Sequence, residues 1–226
     1  MSLEISEYSM EEENQRNENQ EEEIQIKGNH IKYFSRLFLI KKIIKEDEII
    51  QILQTSFSGI TTAPLIRELN ETFQAYRMEI KRTINQSTGD YLYGLNTKDI
   101  DEINQMGCIF DQQDLKKQND LFTLMIENNY RLSINSLDED FFEVYNRMKQ
   151  MGYYIEKDDI ITFGPMYLIN QEIDDLHLPR CEICNLYGTI GLLCPKDDCQ
   201  TFYHETCLKR LGRDSHLCVK CRTHLN

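Results

Sequence analysis

From position 30 onward the apolar residues fall at intervals that switch between helical and strand periods. Ile31, Phe34, Leu37 and Phe38 share one helical face. Glu46 to Phe57 carries Ile49, Ile50, Ile52 and Leu53 and predicts a second helix, which Gly59 breaks. Thr61 and Thr62 before Pro64 make a helix start, because proline lacks an N–H that the first turn does not use. The helix that follows buries Leu65, Leu69 and Phe73. Met78, Ile80, Arg82 and Ile84 then alternate with polar residues, Ser87-Thr88-Gly89-Asp90 supplies turn chemistry, and Tyr91 to Leu95 reads as a returning strand. Three helices closed by a β-hairpin is the order of a winged helix.

The same architecture recurs downstream. Asp111 to Asn128 predicts a helix with Leu115, Phe122, Met125 and Ile126 inward. Ser136-Leu137-Asp138-Glu139 has the form of a capping box, opening a helix that presents Phe141, Val144, Tyr145 and Met148, with Gly152 at the position just past its end. Tyr153 to Glu156 and Ile160 to Phe163 flank the turn Lys157-Asp158-Asp159, a second hairpin. The fold class expected is α+β: tandem winged-helix domains followed by a small cysteine-rich domain. The division is 1–27 an acidic tail, 28–98 the first winged helix, 99–176 the second, and 177–226 the cysteine-rich domain.

Composition sharpens this division. Residues 1–27 hold nine Glu and few large apolar side chains, too little to offset ordering entropy, so a disordered solubilising tail is expected. The formal net charge of −13 argues against binding nucleic acid by bulk attraction. The helix opening at Asp138, Glu139 and Asp140 would repel phosphate, and Arg67 is offset by Glu68 and Glu71. Protein docking is therefore the better reading of the winged helices, and direct DNA contact is weak at most. No run of 18 apolar residues predicts a membrane span, and the N-terminus has no cationic-then-apolar leader pattern.

The candidate chemistry lies in the cysteines. Seven of the eight crowd into Cys181–Cys221, and the first 107 residues have none, a distribution that reads as metal binding in a reducing compartment. The pattern is Cys181-x2-Cys184-x9-Cys194-x4-Cys199-x4-His204-x2-Cys207-x10-Cys218-x2-Cys221. Eight ligands suffice for two tetrahedral Zn2+ sites with none left over, so no open coordination position remains for hydrolysis. A sequential arrangement would give the first four ligands to one ion. The gap within Cys194-x4-Cys199 and the His in fifth place fit a cross-brace better. That assigns Cys181, Cys184, His204 and Cys207 to the first zinc, and Cys194, Cys199, Cys218 and Cys221 to the second, and makes residues 177–226 a small cross-brace zinc RING-like domain behind the tandem winged helices. Metal binding is expected to supply on the order of 10 kcal/mol of folding free energy per site, so chelation should unfold 181–221 and spare the rest. Cys108 is expected to be a buried apolar residue. His177, His216 and His224 fall outside the ligand spacing, and His30 reads as a helix-start or surface histidine. No Walker loop, GxGxxG or Ser-His-Asp pattern points to another enzyme class.

The stretch Tyr91-Leu92-Tyr93-Gly94-Leu95-Asn96-Thr97, the helix after Asp111 and the metal motif opening Arg180-Cys181-Glu182-Ile183-Cys184 together resemble the non-SMC element 1 family, a subunit of the SMC five/six chromosome-maintenance complex. The resemblance covers about residues 30 to 222. It implies a nuclear protein acting in DNA repair and recombination, whose winged helices bind a MAGE-type winged-helix partner, non-SMC element 3, and with it a kleisin, non-SMC element 4. It also implies RING-type ubiquitin-ligase activity, stimulated by the MAGE partner, with a ubiquitin-conjugating enzyme as a further partner. Ile183 stands where active RING domains touch the conjugating enzyme, and Arg222 where a cation just after the last ligand contacts enzyme and ubiquitin. The chain departs from that pattern with Val219 in place of a proline and with no Trp. A non-catalytic scaffold, whose zinc domain only mediates assembly, is the alternative. A histone reader of PHD type is a third reading, for which Phe202 and Tyr203 are poor aromatic-cage candidates.

Overall fold

The computed structural model describes residues 28–57, 59–97, 111–169, 176, 178–212 and 217–225. The acidic tail, Cys108, His177 and His216 lie outside these residues.

The first unit runs α1 (28–41), β1 (Ile43–Lys45), α2 (Glu46–Ser56), α3 (Thr62–Gln74), β2 (Met78–Ile84) and β3 (Tyr91–Thr97). Its sheet has the order β1-β3-β2, antiparallel throughout, with Ile44 opposite Tyr93 and Ile80 opposite Leu95. The predicted inward faces meet: Phe34 and Phe38 of α1, Ile49 and Leu53 of α2, and Leu65, Leu69 and Phe73 of α3 are buried with Ile80, Tyr93 and Leu95. Ile50 points out instead. The β2–β3 turn is built by Asn85, whose Oδ1 accepts from the N–H groups of Ser87 and Thr88, while Gly89 takes the left-handed backbone (φ 84°) that its position requires.

The second unit repeats the topology. It has α4 (Gln112–Glu127), β4 (Arg131–Ser133), two 3-10 turns (Ile134–Ser136 and Glu139–Phe141), α5 (Phe142–Gln150), β5 (Tyr154–Lys157) and β6 (Ile160–Phe163). The sheet order is β4-β6-β5, matching that of the first unit strand for strand. Leu121 and Met125 of α4 and Val144, Tyr145 and Met148 of α5 are buried against Ile161 and Phe163, while Leu115, Phe122 and Ile126 are half-buried. Asp158 and Asp159 both have positive φ, the geometry of a two-residue hairpin turn.

Three sequence expectations need correction. The strands β1 and β4 are additions to the expected elements, because three residues carry too little alternation to register in a sequence. Ser136 does not cap a helix: its Oγ donates to Ser133 O, and Asp138 caps the 3-10 turn before α5. His30 stands in the first turn of α1, as a helix-start residue would, but it is not on the surface. It sits inside α1, 1% exposed, with Nε2 3.3 Å from Glu68 Oε2 and its ring edge-on to Phe57.

A short helix, α6 (Pro165–Leu168), follows the second sheet, and Ile169 after it packs on Gly94 of β3. A Cβ at Gly94 would stand 2.4 Å from Ile169 Cδ1, so this glycine permits the two winged-helix units to close on each other. The third unit holds the hairpin β7 (Leu192–Leu193) and β8 (Phe202–Tyr203) and the helix α7 (Glu205–Arg210). Among the described residues, no helix is long and apolar enough to cross a membrane.

Candidate metal centre

The cysteine-rich motif folds as two matching turns braced by one hairpin. At Cys181 the chain makes a tight turn in which Asn185 N donates to Cys181 O (2.8 Å) and Cys181 N donates to Leu186 O (2.9 Å). At Cys218 the turn is repeated: Arg222 N donates to Cys218 O (2.9 Å) and Cys218 N to Thr223 O (2.8 Å). Asn185 and Arg222, each directly after the second cysteine of its pair, both adopt left-handed backbone (φ 58° and 63°). The β7–β8 hairpin places Cys194 and Cys199 on one side, with Cys194 N donating to Thr201 O. It delivers His204 to the start of α7, whose first turn carries Cys207.

These elements gather the eight side chains into two groups: Cys181, Cys184, His204 and Cys207, and Cys194, Cys199, Cys218 and Cys221. Within each, the ligand atoms all lie within 4.8 Å of one another. The groups interleave along the chain, so the cross-brace arrangement is the one observed and the sequential one is not. In the first group Cys184 Sγ is 3.3 Å and Cys207 Sγ 3.7 Å from His204 Nδ1. In the second, Cys194 and Cys221 sulfurs are 3.4 Å apart and Cys199 and Cys218 sulfurs 3.7 Å. Four sulfurs at bond length from one zinc would be separated by about 3.8 Å, so both groups fit a tetrahedral ion.

The electrostatics agree. The neighbouring Cys184 and Cys207 sulfurs, with His204, hold Cys181 far below the ordinary thiol range, while the same crowding drives Cys207 far above it. Burial opposes charge on His204, but the Cys181 and Cys184 sulfurs beside it outweigh that and push the imidazole up to about 9. Such competition for protons marks a cluster that a cation would relieve. In the second group, burial opposes ionisation of Cys218, and the Tyr203 hydroxyl 3.3 Å away with nearby backbone N–H groups brings it down to about 6.

Several supporting residues were missed by sequence reasoning. Thr201 Oγ1 lies 3.0 Å from Cys199 Sγ and Thr223 Oγ1 lies 3.2 Å from Cys221 Sγ. That the same residue type stands two positions after each of these cysteines was a readable signal. Tyr203 is fully buried, accepts from Val219 N and faces Cys218. Main-chain N–H of His204 points at Cys181 Sγ (3.4 Å), and His204 Nε2 donates to Tyr187 O (3.2 Å), which leaves Nδ1 free to face the cysteines.

The remaining candidates scatter. Ile183 is half-buried against both zinc clusters, whereas Val219 and Arg222 are exposed. His224 is exposed, away from both groups. Phe202 and Tyr203 are buried in the module's interior and offer no aromatic cage.

The module is not free-standing. Ile84 and Tyr91 of the first winged helix pack with Cys181, Phe202 and Cys207. Arg210 of α7 donates to Gly89 O and lies over the Tyr91 ring, which also carries Arg82 at 3.9 Å. From the second winged helix, Arg131 donates through Nε and Nη2 to Thr189 O.

Comparison with known proteins bears on the whole chain. A family model for a RING-like domain matches residues 181–221. Among solved structures, a chain of an Nse1-Nse3-Nse4 complex superposes with a TM-score of 0.61 at 14% sequence identity, covering 86% of this chain and 95% of that one. No curated protein sequence matches. Coverage of that extent takes in the winged helices as well as the zinc module, so the shared feature is the α+β fold closed by a cross-brace RING-like domain.

Proposed function

We propose that this chain is the non-SMC element 1 type subunit of an SMC five/six complex and serves as a RING-type ubiquitin ligase in DNA repair and recombination in the nucleus. The observation that carries the reading is the pair of interleaved ligand groups mounted on two winged helices of identical strand order. Cys181, Cys184, His204 and Cys207 would hold one zinc, and Cys194, Cys199, Cys218 and Cys221 the other. Zinc supplies structural cross-links here and no reacting atom. A MAGE-type winged-helix protein and a kleisin are the partners proposed. The likeness to a chain solved within an Nse1-Nse3-Nse4 complex supports that choice. The acidic 3-10 turn before α5, with Asp138, Glu139 and Asp140, and the pairing of Arg82 with Glu46 favour docking of protein over phosphate.

In this reading the chain forms no covalent intermediate. It holds a ubiquitin-conjugating enzyme so that the thioester meets a lysine, which is catalysis by positioning. Ile183 and Val219 would supply apolar contact, and the exposed Arg222, fixed in direction by its left-handed backbone, the hydrogen bond. A charge-assisted hydrogen bond is worth about 1.5–3 kcal/mol, roughly a tenfold to hundredfold change in rate. In a complex reconstituted with the MAGE-type partner, Arg222→Ala is expected to slow ubiquitin discharge to lysine by that factor. Discharge at the wild-type rate removes Arg222 from the role. The half-burial of Ile183 favours a second reading, a non-catalytic scaffold. No discharge above the conjugating enzyme alone, with complex assembly intact, would select it.

A further inference from the structure

The loop between the first zinc turn and β7 is held from three sides. Tyr187 O accepts the Nε2–H of His204, and at the next residue a Cβ would stand 2.2 Å from the same Nε2, so Gly188 lies directly against the ligand ring. One residue further, the buried amide of Gln86, from the β2–β3 turn of the first winged helix, meets the loop. Its Oε1 accepts from Thr189 N (2.7 Å) and Ile190 N (2.8 Å), and its Nε2 donates to Phe163 O (3.3 Å) and Thr189 Oγ1 (3.4 Å). Gln86 is 4% exposed. Donor and acceptor ends are both engaged, so only one amide orientation satisfies the site. One side chain therefore ties the first winged helix to the end of β6 in the second and to the backbone that orients His204.

We propose that Gln86 is a positioning residue for the first zinc site, acting through residues 187–190 on His204, so that zinc occupancy there and docking of the first winged helix reinforce each other. The physical chain is short. An imidazole ligand is fixed by the acceptor on its other nitrogen, and loss of such a partner typically weakens metal binding about 10- to 100-fold. Here that acceptor is Tyr187 O, and its place depends on the two N–H groups that Gln86 captures. Linkage makes the effect reciprocal: whatever the docked hairpin adds to zinc affinity, zinc must add to docking. The second zinc site makes no contact with Gln86 and should be indifferent. The inference rests on reading the two groups as zinc sites.

The test uses the full chain. Wild type is first loaded and its zinc counted; any number other than two defeats the zinc reading itself. Chelator competition then compares wild type with Gln86→Ala. Cobalt substitution distinguishes the histidine-containing site from the all-cysteine site by their different absorption. The expected result is roughly a 10- to 100-fold loss of affinity at the histidine-containing site alone. General destabilisation would weaken both sites, and equal affinities would leave Gln86 with no role; either outcome overturns the proposal. The reciprocal arm needs no variant. Chelating zinc from wild type should speed hydrogen exchange at the 85–91 turn while α2 and α3 stay protected. Unchanged exchange at the turn would also overturn it.

Discussion

At the scale of single residues, the proposed histidine-containing zinc site should depend on what surrounds its ligands as well as on the ligands themselves. Gly188→Ala would place a methyl group 2.2 Å from His204 Nε2 and 2.9 Å from Gln86 Oε1. Neither neighbour can yield without breaking a hydrogen bond, so the variant should lose zinc from the histidine-containing site while keeping it at the all-cysteine site, as read by metal analysis. Tyr93 offers a pH test. Burial, then the Glu46 carboxylate that accepts its hydroxyl hydrogen bond, push its phenol up to about 12 from an ordinary 10. A raised folded-state value means that the neutral phenol's stabilisation is complete below pH 10 and is lost as pH rises toward 12. Across that window wild type should lose stability more steeply than Tyr93→Phe in denaturant melts at fixed pH; parallel curves would contradict the assignment. The two Cys/His groups were legible in the sequence because a metal turn needs its cysteines at fixed local spacing. Gln86 was not, since its partners at Phe163, Thr189 and Ile190 are far along the chain and nothing local marks it.

Among the elements, the helices of the first winged helix were readable for the reason that long amphipathic segments usually are: Leu65, Leu69 and Phe73 repeat on one face and all are buried. Leu69→Ala should cost about 2–5 kcal/mol in a denaturant melt, since Leu69 has no exposed surface and its neighbours are fixed by the sheet. The hairpins were readable from their turns. The three-residue strands β1 and β4 were not, because Ile43–Lys45 and Arg131–Ser133 gain their strand character only by pairing with β3 and β6. The start of α5 differs from expectation for a similar reason. Ser136-Leu137-Asp138-Glu139 carries two competing caps, and burial of Leu137 in the second core selects Asp138.

At the scale of the molecule, the two winged helices and the zinc module interlock. The expectation that chelation would spare everything outside 181–221 is too simple for a module clasped by Gln86, Arg131 and the Tyr91 stack. Arg131 satisfies Thr189 O with two N–H groups, so Arg131→Ala should loosen the module by about 1–3 kcal/mol. Limited proteolysis within 186–192 reads that loosening, and a cleavage rate equal to wild type would show the contact to be dispensable. Through such contacts the module touches both winged helices, so its folding would bear on the surface proposed for a MAGE-type partner. Beneath all of this two ions are proposed, each held by four of the eight interleaved Cys and His side chains. Native mass spectrometry of the full chain tests that directly. Two Zn2+ per polypeptide are predicted, falling to one in Cys184→Ser and to one in Cys221→Ser; a single ion in wild type, or both ions retained in either variant, would contradict it.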